Sequence, residues 1–289
     1  MLDVTHFTDP GCPWAYSASP AFAVLHWRYG AQLRWTHVLI GLTESAEQYA
    51  RRGYTPTRSA LGYAGYRRFG MPFQVTPKPR LSATSPACRA IVAARLQDPA
   101  LELPALRALQ LAQFTTTGVL EDPETIRAAL RRVEGLDADA MVARLDDEDV
   151  RAAYEADRAR TRTAEGSPTE FQGKAANSDG LVRYTAPSLV FTAEDGRSLE
   201  AGGFQPVEAY DVVVANLDPT LERRPPTGDP VEVLEALGFP LTTAEVAAAM
   251  CEHLGMPDLT AAEAGLIAAT GKGRVVREPV GDGSLWSLA

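Results

Sequence analysis

Apolar and polar residues alternate from Leu2 to Phe7, the period of a strand with one buried face. The alternation stops at Asp9-Pro10-Gly11, a loop signal. From Pro13 to about Tyr29, residues Tyr16, Phe22, Val24, Leu25 and Trp27 predict a helix. Pro13 suits its first position, where a missing N–H costs nothing, while Pro20 predicts a kink. Alternation returns at Leu33, Trp35, His37 and Leu39, a second strand. Residues 43 to about 170 read as helical and irregular, with helices expected over 85–96, 103–115, 122–133, 137–145 and 147–162. Asp or Pro opens several of them. Strand signals reappear at Ala186–Phe191 and Ser198–Ala201, separated by a turn at Glu194-Asp195-Gly196-Arg197, and Gln205 to Leu217 reads as a helix. A proline-rich linker follows at 218–229. The segment 230–289 reads as a separate unit of three short helices (231–237, 243–253, 260–270). Two strand-like runs then flank Gly281-Asp282-Gly283, a hairpin signal. Three helices and a hairpin resemble a winged helix.

The 289 residues are 45% apolar and 22% charged, enough for a sizeable core and, at ~150 residues per domain, about two domains. A net charge of −9 opposes nucleic acid and anionic membrane as partners. No apolar run approaches the ~20 residues that span a bilayer. Leu2-Asp3-Val4-Thr5-His6-Phe7 has neither the charged nor the apolar region of a secretory signal, so a cytoplasmic location is expected. The three cysteines, Cys12, Cys88 and Cys251, are too few and too scattered for a disulfide framework, and no Cys or His spacing suggests a metal site.

Cys12 carries the sharpest chemical signal. It lies between a strand and a helix start, where unsatisfied N–H groups and the helix dipole favour a thiolate, and such positions lower a cysteine pKa. A buried core thiol is the alternative.

Asp9-Pro10-Gly11-Cys12-Pro13-Trp14-Ala15 resembles the active-site turn of the DsbA-like thioredoxin superfamily. That group includes FrnE-like oxidoreductases, kappa-class glutathione transferases and 2-hydroxychromene-2-carboxylate isomerases. The family carries a helical insertion within a thioredoxin fold and a cis-proline loop facing the nucleophile. Thr185-Ala186-Pro187-Ser188-Leu189-Val190-Phe191 is similar to that loop, with Pro187 at the cis position; an ordinary trans proline opening an edge strand is the alternative. Gly202-Gly203-Phe204-Gln205 is similar to the family's closing turn. The resemblance covers residues 2–217. The expected fold is therefore α/β, a thioredoxin-like domain over 1–217 with a helical insertion at 43–170, plus the winged-helix-like unit.

Ala15 departs from the family's dithiol pattern, standing where a resolving cysteine would be. A mixed disulfide on Cys12 then needs another thiol to resolve it. The resemblance implies a thiol oxidoreductase or transferase in which glutathione or mycothiol does this; the Arg- and Ala-rich composition of a GC-rich genome leans towards mycothiol. Cys88 or Cys251 approaching Cys12 is a second route. A thiol-dependent isomerase and a non-catalytic scaffold are the alternative functions. Cys12 is the expected nucleophile, and Pro13, Trp14, Ala186, Pro187 and Gln205 the expected thiol- or substrate-binding residues.

Other residues admit two readings. Trp14 forms a wall for a small-molecule substrate or packs in the core. Tyr54, Tyr63, Tyr66, Phe69 and Phe73 roof the site or form core. Arg67-Arg68 holds a carboxylate or is solvated. Cys88 and Cys251 read as structural thiols, and the four histidines are scattered. Beyond Asp229 there are nine acidic and three basic residues, which opposes DNA binding. That unit is expected to be a packing or homodimerisation module, or a lid over the site.

Overall fold

The two N-terminal strands are parallel neighbours joined by a helical crossover. In the computed structural model, which describes residues 1–178 and 180–289, β1 (Leu2–Thr8) leads through α1 (Pro13–Ser17) and α2 (Ser19–Tyr29) to β2 (Leu33–Leu39). The expected kink is a break: Pro20 has no N–H to continue the ladder, so the helix restarts at Ser19 behind Ala18.

The insertion comprises α3 (Ala46–Arg51), α4 (Pro56–Tyr66), α5 (Ser85–Gln97), α6 (Glu102–Thr115), α7 (Pro123–Leu130), α8 (Ala138–Ala143), α9 (Glu148–Thr161) and α10 (Pro168–Phe171). Its core is built from small and aliphatic side chains on α5 to α9, and Leu39 of β2 packs into it. Two short strands that periodicity does not reveal, β3 (Ala175–Ala176) and β4 (Arg183–Tyr184), pair with each other.

The chain then returns to the sheet as β5 (Ser188–Ala193) and β6 (Ser198–Ala201), and α11 (Val207–Leu217) follows. The mixed sheet has the order β2-β1-β5-β6; β5 lies antiparallel to both β1 and β6. Leu2, Val4, Leu189 and Phe191 pack with Leu25 of α2 and Tyr210 and Val214 of α11 on one face. β1 thus ends at the start of α1 beside the start of β5, which brings residues 12 and 186 together across 174 positions of sequence.

The C-terminal segment holds α12 (Pro230–Leu237), β7 (Leu241–Thr242), α13 (Thr243–Met250), α14 (Leu259–Gly271), β8 (Val275–Val280) and β9 (Gly283–Leu288), with its sheet in the order β7-β9-β8. Its core closes around Trp286, and Trp27 of α2 enters it. Several polar links bind it to the rest. Arg107 of α6 meets the fully buried Glu245 at 2.6 and 3.0 Å. Arg132 pairs with Glu278. At the β8–β9 hairpin tip, the Phe73 N–H donates to Asp282 Oδ1 at 2.7 Å. Gly281 there has φ +54°, and a Cβ would meet the Phe73 backbone at 3.0 Å, so only glycine allows this approach.

Candidate active site

Asp9 organises the turn that carries Cys12. The side chain is fully buried, and every group around it donates. The Gly11 N–H reaches Oδ1 at 2.8 Å; the Leu42 N–H (2.8 Å), Thr84 hydroxyl (3.0 Å) and Cys88 thiol (3.6 Å) reach Oδ2. Burial pushes the Asp9 pKa up and these donors pull it back, the donor set that suits an ionised carboxylate. From its loop position Asp9 is expected to be an exposed loop residue or a cap of the turn, and it is buried instead. Its tie to the insertion is long-range and leaves no local signal. Gly11 is needed where the turn crosses α5, since a Cβ there would lie 2.4 Å from Thr84.

Cys12 is the N-cap of α1, with Pro13 in the first turn. Its Sγ donates to the Ala186 carbonyl at 3.1 Å, and the Ala186–Pro187 bond is cis. Cys12 is 6% exposed and borders a cleft of about 470 Å3. The direction of its pKa corrects the expectation of a depressed one. Burial pushes the thiol up to about 12, and the Asp9 charge adds to this; the backbone N–H groups of Ala15 and Trp14 pull it down without prevailing. Desolvation of the charged form outweighs a helix of five residues.

Most of the cleft comes from the insertion. Trp14, Tyr49, Tyr54, Tyr63 and Tyr66 supply its rings. Trp14, 39% exposed, meets Tyr66 edge-on at 5.0 Å and also touches Phe69 and Phe204. Of the five aromatics expected as a roof, Tyr54, Tyr63 and Tyr66 line the cleft. Phe69 packs behind Trp14, and Phe73 is buried against Tyr16 and Phe114.

Arg67-Arg68 does not line the cleft. Arg67 pairs with Asp282 at 2.5 Å and Arg68 lies over the Phe69 ring. The cations that do line it are Arg52, Arg58, Lys78, Arg80 and Arg183, scattered over 130 positions and invisible to local reading. Gln205 does not line it either: its amide donates to the Gly202 carbonyl at 2.8 Å and closes its own turn. Among the described residues none beyond Arg183 lines the cleft: Ala186 and Pro187 flank Cys12 without lining it, and the C-terminal unit is no lid over it. Cys88 is wholly buried on α5, its thiol on Asp9, and Cys251 lies in the C-terminal unit. Among the described residues no group of His, Cys, Asp and Glu is placed to hold a metal ion.

The sequence profile of the DSBA-like thioredoxin domain matches residues 3–185. The chain belongs to this family. The matched stretch spans the strand–turn–helix opening, the insertion and the approach to Ala186-Pro187 of this DSBA-like chain. No curated protein matches it by sequence. Among solved structures, a probable DsbA oxidoreductase from Streptomyces coelicolor is 17% identical, with a TM-score of 0.57 over 78% of this chain and 93% of the other. The cytosolic disulfide reductase DsbM from Pseudomonas aeruginosa, solved with GSH, is 18% identical, with a TM-score of 0.51 over 74% of this chain and 98% of the other. At these identities the likeness is one of fold. No helix among the described residues is long and apolar enough to cross a membrane.

Proposed function

We propose that this DSBA-like chain is a cytoplasmic thiol oxidoreductase or transferase that works through Cys12 alone, with a low-molecular-weight thiol such as glutathione or mycothiol as the resolving partner. The observation that carries the reading is the placement of Sγ, 3.1 Å from the Ala186 carbonyl and at the border of the cleft. A thiol ligand lying in extended form along Ala186 and Pro187 would take that carbonyl as its own acceptor. Cys12 then loses the partner that favours its protonated form, and the N–H groups of Trp14 and Ala15 remain to stabilise the thiolate. The resting thiol is neutral, and ligand binding switches it on. Attack on a disulfide leaves Cys12 in a mixed disulfide. The other half of that disulfide leaves as a thiolate. Ala15 cannot resolve the mixed disulfide and Cys88 is held on Asp9, so a second small thiol attacks the ligand-derived sulfur. The product disulfide departs, and Cys12 is released as the thiolate with the electron pair of the broken S–S bond. That DsbM was solved with GSH supports this choice of partner. The cytoplasmic placement takes its support from the cytosolic setting in that protein's name.

The test is iodoacetamide alkylation of each cysteine against pH, read by peptide mass spectrometry, with and without S-methylglutathione. Alkylation of Cys12 only at high pH when free, shifting to lower pH with the analogue, is expected. Cys12→Ser should abolish thiol-dependent turnover. Turnover unchanged in Cys12→Ser overturns the reading.

A further inference from the structure

The cleft has a charge opposite to that of the chain that builds it. The protein carries a net −9, yet Arg52, Arg58, Lys78, Arg80 and Arg183 line the cleft, and among the described residues no Asp or Glu does. Arg80 is neutralised by Glu121 and Asp122. Arg52, Arg58 and Lys78 have no carboxylate partner among the described residues. Arg52 donates to the Ser178 carbonyl at 3.5 Å, Arg58 to the Gly53 carbonyl at 2.9 Å, and Lys78 to the carbonyls of Thr116 and Gly118. Lys78 is half-buried, and burial lowers its pKa to about 8. A half-buried ammonium among neutral carbonyls lacks compensation that a ligand anion would supply. The same cleft presents the rings of Trp14, Tyr54, Tyr63 and Tyr66. Its volume suits a small organic molecule.

We propose that the cleft beside Cys12 takes a small aromatic anion, its acid group held by Lys78, Arg52 and Arg58 and its ring lying among Trp14, Tyr54 and Tyr66. The inference rests on Cys12 as the nucleophile and names what that nucleophile meets.

Two aryl disulfides that differ in charge test it: 5,5′-dithiobis(2-nitrobenzoate), a dianion, and 4,4′-dithiodipyridine, neutral at pH 8. The Cys12 thiolate attacks one sulfur, the S–S bond breaks, and the aryl thiolate leaves with the electron pair; the Cys12 proton passes to buffer. The absorbance of the leaving thiolate gives the rate. Cys251→Ser serves as the background, and each rate is divided by that of free cysteine. The dianion should be preferred at least tenfold, since charge-assisted hydrogen bonds are strong. The preference should shrink about tenfold in Lys78→Gln and in Arg58→Gln, and shrink in high salt, with the neutral disulfide little affected.

A second arm measures calorimetric binding of 4-nitrobenzoate, which has no thiol chemistry, to Cys12→Ser. Binding lost in the Lys78→Gln double variant supports the anion site. Equal normalised rates together with no nitrobenzoate binding overturn the anion site and leave the thiol reading intact. Nitrobenzoate binding with Cys12 inert to both disulfides supports the anion site and overturns the thiol reading.

Discussion

Two polar spaces lie on either side of α1. One is the cleft at Cys12. The other is a chamber of about 30 Å3 near Ala15, lined by His6, His26, His37, Trp35 and the Arg107–Glu245 pair. His6 and His37 face each other in the β1–β2 register, Nδ1 to Nδ1 at 3.2 Å, so at least one must be neutral. Burial holds His6 well below its ordinary pKa, His26 at about 4 and His37 at about 3, with neighbouring imidazoles and the Arg95 and Arg107 guanidinium groups pushing the same way. Burial likewise holds Cys12 neutral. The two sites thus share a cause but differ in what surrounds them. The chamber holds only about 30 Å3 among packed rings, whereas the cleft holds about 470 Å3 and Cys12 has the backbone N–H groups of Ala15 and Trp14 in reach. The same desolvation keeps the histidines neutral at pH 7 in one place and, in the proposed reading, gives a reversible resting state in the other.

The sharpest way to break the cleft side is to remove the carboxylate beneath it. Asp9→Ala leaves the donors of Gly11, Leu42 and Thr84 without their acceptor in a buried site, and a loss of about 3–5 kcal/mol in urea unfolding is expected.

Acid tests the chamber. A histidine whose folded pKa lies below its unfolded value contributes stability above about 6.5, lost as pH falls towards the folded value. For His37, with a folded pKa of about 3, the loss between pH 7 and pH 5 is about 2 kcal/mol at 1.36 kcal/mol per unit. His37→Asn should remove that part of the pH dependence; an unchanged slope in urea midpoints between pH 7 and 5 would show that His37 titrates normally.

A smaller effect separates charge from scaffolding at Asp9. Asp9→Asn keeps one acceptor but removes the charge that raises the Cys12 pKa, so the alkylation midpoint of Cys12 should fall by about one unit. A midpoint that rises instead would assign Asp9 a purely structural part. Trp14→Ala, at a half-exposed ring, should cost only about 1 kcal/mol of stability while slowing reaction with aryl substrates.

Much of the frame was legible because its signals are local. The strand Leu2–Phe7, the proline-opened helix after Cys12, helices α5 to α9 of the insertion, and Ser198–Ala201 follow from periodicity and from Asp or Pro at helix starts, whereas α3, α4 and α10 were not distinguished. Alternation in β1 gives its buried face but is silent on its neighbour. That β5, nearly 190 residues on, lies beside it depends on the insertion folding out of the way. The candidate site divides in the same manner. Cys12, Pro13 and Trp14 are contiguous and were readable as a turn. Gln205 stands in a turn of the right composition, yet its amide is used by its own backbone.

The sequence alone determined most of the longer strands and helices and which cysteine stands at a helix start, since these rest on spacing over a few residues. It also determined the acidic balance of the whole chain and of the segment beyond Asp229. Tertiary structure decided that the thiol is neutral, that three histidines share a small chamber, and that five cations of an acidic protein converge on one cleft. The physical reason is that burial and charge proximity are properties of the packed environment. They depend on groups up to 174 positions apart, and no local pattern carries that information.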